Sequence, residues 1–270
     1  EREVTRFKLY VSDSPAWVSY LARNERLVET PLIPPDISFG LAAALPLGVS
    51  REPVVDLIWS FIYSEPDHAA DMRAQFAEGM GMTPSQLLSH ARSRCFLFTP
   101  GDKGVNAERL ITAFDVKRTE TARDIVDLLK PGSVFGERNV MVMNYRGKKI
   151  YYPEGDASDF GVADTGQFVM TCASKDTLME ALSQYGSSAQ GIYGELPEHI
   201  GDRIAEEASV LLFFRTKFWP DSLRDIPMSK GRRVLFGLKF FAGSLVVDCS
   251  DGPSLYMPQF TYWLSQRLGN

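Results

Sequence analysis

The side chains of this chain that could do chemistry are few, and two of them share a phrase. "VMTCASKDTL" ends an apolar run at Cys172, and "VVDCSDGPSL" ends another at Cys249. A thiol nucleophile at either place needs a neighbouring base and donors for an oxyanion, and no such residues recur beside the two cysteines. What recurs is a set of capping residues. Ser174 follows Cys172, and Ser250, Asp251 and Ser254 follow Cys249. Side-chain oxygens of this kind accept from the orphan N–H groups of a starting helix. The expectation is therefore a strand-to-helix joint, with cysteine as a small residue that tolerates burial at the last strand position. Ser12, Asp13 and Ser14 before Pro15 make the same joint without a cysteine. The remaining cysteine, Cys95, begins an apolar run.

Histidine offers no ligand pattern. His68, His90 and His199 fall in separate helical segments, and none has a second ligand at metal spacing. His68 with Asp71, and His199 with Asp202, read as helix-surface pairs. The stretch "PEGDASDFGVAD" (153–164) presents Glu154, Asp156, Asp159 and Asp164 as oxygen ligands. Its spacing is not that of an EF-hand, so a solvated acidic turn is expected there. Asp159-Phe160-Gly161 matches three residues of the kinase magnesium motif without the glycine-rich or catalytic loops that give it meaning. Gly79-Met80-Gly81 begins a dinucleotide fingerprint, but Pro84 occupies the third glycine position. The chain has no Gly-x-Ser-x-Gly and no Ser-x-x-Lys. The expectation is no catalytic residue, no metal ligand, no cofactor-binding residue and no cofactor.

The elements that position these residues follow from pattern. Strands are expected at 7–11, 37–41, 94–98, 109–116, 166–172 and 209–216. Hairpins are expected at 139–152, turning at Arg146-Gly147, and at 233–249. Helices are expected at 16–21, 53–64, 67–78, 84–92, 120–130, 175–185, 197–207, 220–226 and 257–268. Thr83-Pro84, Thr119 and Ser174 are the start signals, and Pro131-Gly132 is a stop. Laid side by side, 109–185 and 209–268 each read strand, helix, hairpin, helix, the first with one additional strand. Such self-similarity is how repeats appear in sequence. The fold class expected is α+β: antiparallel sheets with covering helices, a helix-rich part at 1–105, and two related units within 106–270. The aromatic runs "LLFFRTKFW" (211–219), "LKFF" (238–241) and "FTYW" (260–263) gather in the last third; the strand residues 211–214 are apolar on both faces, and the runs read as core.

Composition bounds the function. The chain has 270 residues, 44% hydrophobic and 23% charged, with net charge −5. That supports a packed core and gives no basic stripe of the kind nucleic acid requires. The longest basic cluster, Lys230-Gly231-Arg232-Arg233, reads as a turn. No run approaches the roughly 18 to 20 apolar residues of a membrane-spanning helix. The sequence begins Glu1-Arg2-Glu3, and the expectation is that a leader, anchor or tag preceded it. The strand–helix alternation resembles that of bacterial extracytoplasmic α/β repeat proteins, a resemblance that implies an envelope location and no particular site. The function expected is a non-catalytic binding or scaffold protein of a bacterial envelope, with a protein partner and no nucleic acid. The alternatives are a hydrolase assembled from distant residues and a carrier of a hydrophobic ligand in the aromatic C-terminal half.

Overall fold

Apolar runs that are buried on both sides become the central strands, and the amphipathic segments between them become covering helices. The computed structural model describes residues 5–10, 36–45, 50–62, 66–101, 107–116, 122–129, 139–155, 160–185, 204, 208–215, 233–241 and 244–249. The expected helices at 16–21, 197–207 (Ile204 apart), 220–226 and 257–268 lie outside these residues. So do the joint at Ser12–Pro15 and the caps after Cys249.

The chain divides into two compact units, each drawing on both sides of the expected division at 105/106. The first comprises Glu1–Pro46, Phe98–Val105 and Gly186–Asn270, and the second Leu47–Leu97 and Asn106–Tyr185.

In the first unit the strands are β1 (Thr5–Tyr10), β2 (Ile37–Ala44), β9 (Val210–Arg215), β10 (Arg233–Phe241) and β11 (Ser244–Cys249), arranged β1-β11-β10-β9-β2. Each of these neighbours pairs antiparallel. Every residue of β2 is buried, as are Val210–Phe213 and Val234–Leu238, so both faces of these central strands are covered. The aromatic residues Phe213 and Phe236 contribute to that core. Gly237 is where the cover comes closest. A Cβ there would lie 2.5 Å from Ile204 Cγ2 and 3.2 Å from the Ile204 carbonyl oxygen. Only a residue without a side chain lets that backbone settle on the sheet.

The second unit holds helices α1 (Glu52–Ile62), α2 (Pro66–Met80) and α3 (Pro84–Ser89), then β3 (Ala91–Pro100), of which residues to Leu97 belong here. A short 3-10 turn at Ala107–Arg109 leads into β4 (Ile111–Val116) and α4 (Ala122–Leu129). The hairpin β5 (Val140–Tyr145) and β6 (Lys148–Pro153) follows, then β7 (Gly161–Asp164), β8 (Phe168–Cys172) and α5 (Lys175–Gln184). The strands lie in the order β3-β4-β8-β7-β6-β5. Thr83 caps α3 in a reciprocal capping box with Gln86, with Pro84 in its first turn. That helix stops at Ser89 rather than 92, because β3 begins at Ala91, three residues before the expected strand. The Arg51 guanidinium anchors this start by donating to the Ala91 carbonyl at 3.0 Å.

The structure is α+β, with antiparallel strands and few helices; in the second unit α4 packs on β7, and α5 on β7 and β8. Two details differ from expectation. The acidic stretch 153–164 is not one turn, since Gly161–Asp164 is a strand paired on both sides, to β6 and to β8. The segment 109–185 thus carries two strands after its hairpin where one was expected. The two segments read as repeats also differ in sheet order: β4 lies beside β8, the last strand of its segment, whereas β9 lies beside the next strand, β10. What their described residues share is a strand followed by a hairpin in linear order.

Candidate functional site

The buried polar groups come first, because a reactive centre needs at least one of them unspent. Cys95, Cys172 and Cys249 are all buried thiols. Cys172 ends β8. Its Sγ donates to the Glu108 carbonyl and accepts from Ser174 N–H, both at 3.5 Å. Burial pushes its thiol up to about 11, against the smaller opposing pull of the Ser174 N–H and the Arg109 charge. A thiol in that state is protonated at neutral pH and is not an activated nucleophile. Ser174 is the N-cap of α5, accepting from Thr177 N–H at 3.2 Å. The joint expected at Cys172 is therefore the one observed.

Asp115, near the end of β4, is 6% exposed. One carboxylate oxygen accepts from the backbone N–H of Ser93 (2.9 Å) and of Arg94 (2.8 Å). The other accepts from Ser93 Oγ (2.7 Å) and Arg94 Nε (3.4 Å). A carboxylate offers about four lone-pair sites, so Asp115 is fully engaged in holding the start of β3. In the first unit Asp248, 4% exposed, accepts a two-pronged contact from Arg6 at 2.7 and 2.8 Å. Sequence reasoning missed both. Their signal was an acidic residue in an otherwise apolar strand, in "RLITAFDV" and "LVVDC".

The residues weighed for metal chemistry are dispersed. His68 and Asp71 lie exposed on α2, and His90 is the half-buried C-cap of α3. His199 and Asp202 lie outside the described residues, as do Asp156 and Asp159. Glu154 accepts from Asn139 Nδ2 at 2.7 Å, and Asp164 accepts from Gly166 N–H at 2.7 Å in the turn after β7. Phe160 and Gly161 enter β7 as buried residues, and Gly81 is a left-handed turn residue after α2. Among the described residues no group of three or more His, Cys, Asp or Glu side chains is placed to hold a metal ion. No described helix is long and apolar enough to cross a membrane.

The outer strand β5 is the least covered described strand of the second unit. Every residue of β8 is buried, as are the first three of β7; β6 is mixed, and β5 has no buried residue. The helical cover runs out along that series. Met141 is 40% exposed and Val142 49%. No residue from Val140 to Tyr145 carries a charge.

The turn fixes which backbone groups face outward. Arg146 and Gly147 have φ of +50° and +77°, the signature of a tight two-residue turn, and Tyr145 pairs with Lys148 across it. The pair flanking such a turn exchanges both hydrogen bonds, and bonding alternates along the ladder. Tyr145, Met143 and Met141 therefore spend their N–H and C=O groups on β6. Asn139 continues the same set, its carbonyl accepting from Glu154 N–H at 2.9 Å. Pro153, which has no N–H, sits opposite Val140 at a position that needs none. The N–H and C=O groups of Val140, Val142 and Asn144 point to the outer edge, where no described strand pairs with them.

The hairpin is anchored by basic side chains. Arg146 Nη1 donates to the Ser183 carbonyl at 2.9 Å, near the C-terminal end of α5, where a cation is favoured. Lys148 Nζ donates to the Thr165 carbonyl at 2.8 Å and lies 5.5 Å from the Tyr185 ring centroid. Lys175 of α5 sits 4.6 Å over Tyr152. Arg146 and Lys148 of the hairpin, with Lys175 of α5, thus tie it to its own unit, and the uncharged strand is left outermost. No protein family, curated protein or solved structure matches this chain.

Proposed function

We propose that this protein is a non-catalytic binding module that takes an extended protein segment along β5 by adding a strand to the sheet. The observation that carries the reading is the outward row of donors and acceptors on Val140, Val142 and Asn144 between exposed apolar side chains. Main-chain hydrogen bonds supply affinity in such docking, and the alternating side chains supply selectivity. The anchoring of the hairpin by Arg146, Lys148 and Lys175 keeps the edge in its bonding conformation before a partner arrives, which lowers the ordering cost of binding. The engaged state of Asp115 and the protonated state of Cys172 favour a binding role over hydrolysis.

The test is a photo-crosslinking side chain placed at Val142 in the intact protein in cells, with the same group at Ala74, an exposed position on α2, as control. Discrete protein adducts at 142 and none at 74 are expected. Equal labelling at both positions, or none at 142, refutes the reading.

A further inference from the structure

We infer that the segment β5 receives is β5 of a second copy of this chain, the two strands running antiparallel about a two-fold axis through Val142. This rests on β5 being a docking edge. Val140, Val142 and Asn144 carry the outward backbone groups and are spaced symmetrically about Val142. A two-fold there sets Val142 against Val142 and Val140 against Asn144, each as a hydrogen-bonded pair. Every outward N–H and C=O of these three residues is then satisfied in both copies. The contact is isologous, the kind that closes on itself as a dimer.

Charge selects the same occupant. The chain carries net charge −5, so two copies repel on average, and an uncharged edge is where their contact is opposed least. Val140–Tyr145 carries no charge, and pairing it with itself opposes no like charges. The outer strand of the first unit shows the contrast: β1 presents Arg6 and Lys8, charges of the sort that keep edges from pairing. The apolar side chains match as well. Met141 and Met143 alternate with Val142 and share the sheet face of their β6 partners Tyr152 and Ile150. In the paired state Met141 of one copy lies directly across from Met143 of the other on that face, and the two Val142 side chains meet on the opposite face.

The experiment uses the full chain. Sedimentation velocity across a concentration series follows the wild type and Val142→Lys, a change at an exposed position that sets two ammonium groups opposite each other at the axis. Thermal melting by circular dichroism checks that the variant is folded. In parallel, Val142→Cys and Met141→Cys are oxidised mildly and compared with the wild type, which accounts for the native thiols. Paired residues at the axis are about 5.5 Å apart between Cα atoms, within the span of a disulfide. Two Met141 residues are diagonal neighbours at about 7–8 Å and out of reach.

The expected result is a dimer in the wild type, loss of that dimer in folded Val142→Lys, and covalent dimer from Val142→Cys but not from Met141→Cys. A wild type that stays monomeric at its highest soluble concentration overturns the inference. So does a dimer indifferent to Val142→Lys, or one cross-linked at 141 and not at 142. A monomeric chain whose position 142 still captures a different protein in cells overturns the two-fold pairing alone and leaves the docking edge standing. No adduct of any kind at 142 removes both.

Discussion

Replacing Asp115 by alanine removes one small side chain and strands two backbone donors. The Ser93 and Arg94 N–H groups both bond to the same Asp115 oxygen, at 2.9 and 2.8 Å. A buried donor left without a partner costs about 1–3 kcal/mol, so the pair sets a range of about 2–6 kcal/mol on that basis. Ser93 and Arg94 are half-buried, and water partly relieves the loss. The expected cost therefore lies in the lower part of the range, about 2–4 kcal/mol. Asp115→Asn separates bonding from charge. The amide oxygen still accepts from the two N–H groups, while the Arg94 guanidinium, whose contact is the long one at 3.4 Å, loses its anionic partner. That variant should lose less than alanine, about 1–2 kcal/mol, because the ion pair it gives up is largely buried but long. Urea unfolding followed by circular dichroism measures both changes, and amide hydrogen exchange at Ser93 and Arg94 localises them. An alanine variant within about 0.5 kcal/mol of the wild type, the scatter of featureless surface sites, refutes the reasoning. An asparagine variant as damaged as alanine would show that charge, and not the bonding of the two N–H groups, is what matters.

Two further outcomes follow from burial. The Cys172 thiol is raised from 9.0 to about 11, so the fold favours the neutral form and the unfolded chain ionises first. Its contribution is intact below pH 9 and is lost as pH climbs towards 11, about 2–3 kcal/mol across that window. The difference in unfolding free energy between wild type and Cys172→Ser should shrink or reverse by that amount between pH 8 and 11, and a difference flat with pH refutes it. Gly237→Ala forces a methyl to within 2.5 Å of Ile204 Cγ2 and should cost about 1–3 kcal/mol by overpacking. The double variant with Ile204→Ala should recover part of that loss, and strict additivity in the cycle counts against the contact.

What the sequence showed and what it hid divide along the reach of the interaction. Arg146-Gly147 marks its turn because few residues adopt positive φ, and the observed values are +50° and +77°. Thr83-Pro84 and Ser174 mark helix starts because a cap acts within three residues of itself. The strand Gly161–Asp164 is the reverse case. Its four residues carry little strand preference, and they are extended because β6 and β8 flank them and α5 presses Leu178 to 3.0 Å of where a Cβ of Gly161 would stand. The partners of Asp115 could not be read locally, because its donors lie 21 and 22 residues away. The candidate edge was half legible. "VMVMNY" reads as a strand, but where the helical cover stops is a property of the assembled sheet and has no local signature.

The make-up of the first unit has a consequence for synthesis. Its outer strand β1 leaves the ribosome well before the strand it pairs with, since the partner of Arg6, Asp248, lies 242 residues later. β2 likewise waits for β9, and a truncation that removes Ser244–Cys249 takes away the strand to which β1 pairs. The second unit, built from Leu47–Leu97 and Asn106–Tyr185, is wholly extruded before Val210 appears. Folding on the ribosome is therefore ordered: the later-starting unit has its described strands first, while β1 and β2 wait for β9, β10 and β11 to emerge. The cations on β1 suit that wait, since an early strand left unpaired among other nascent chains is shielded by the charges of Arg6 and Lys8.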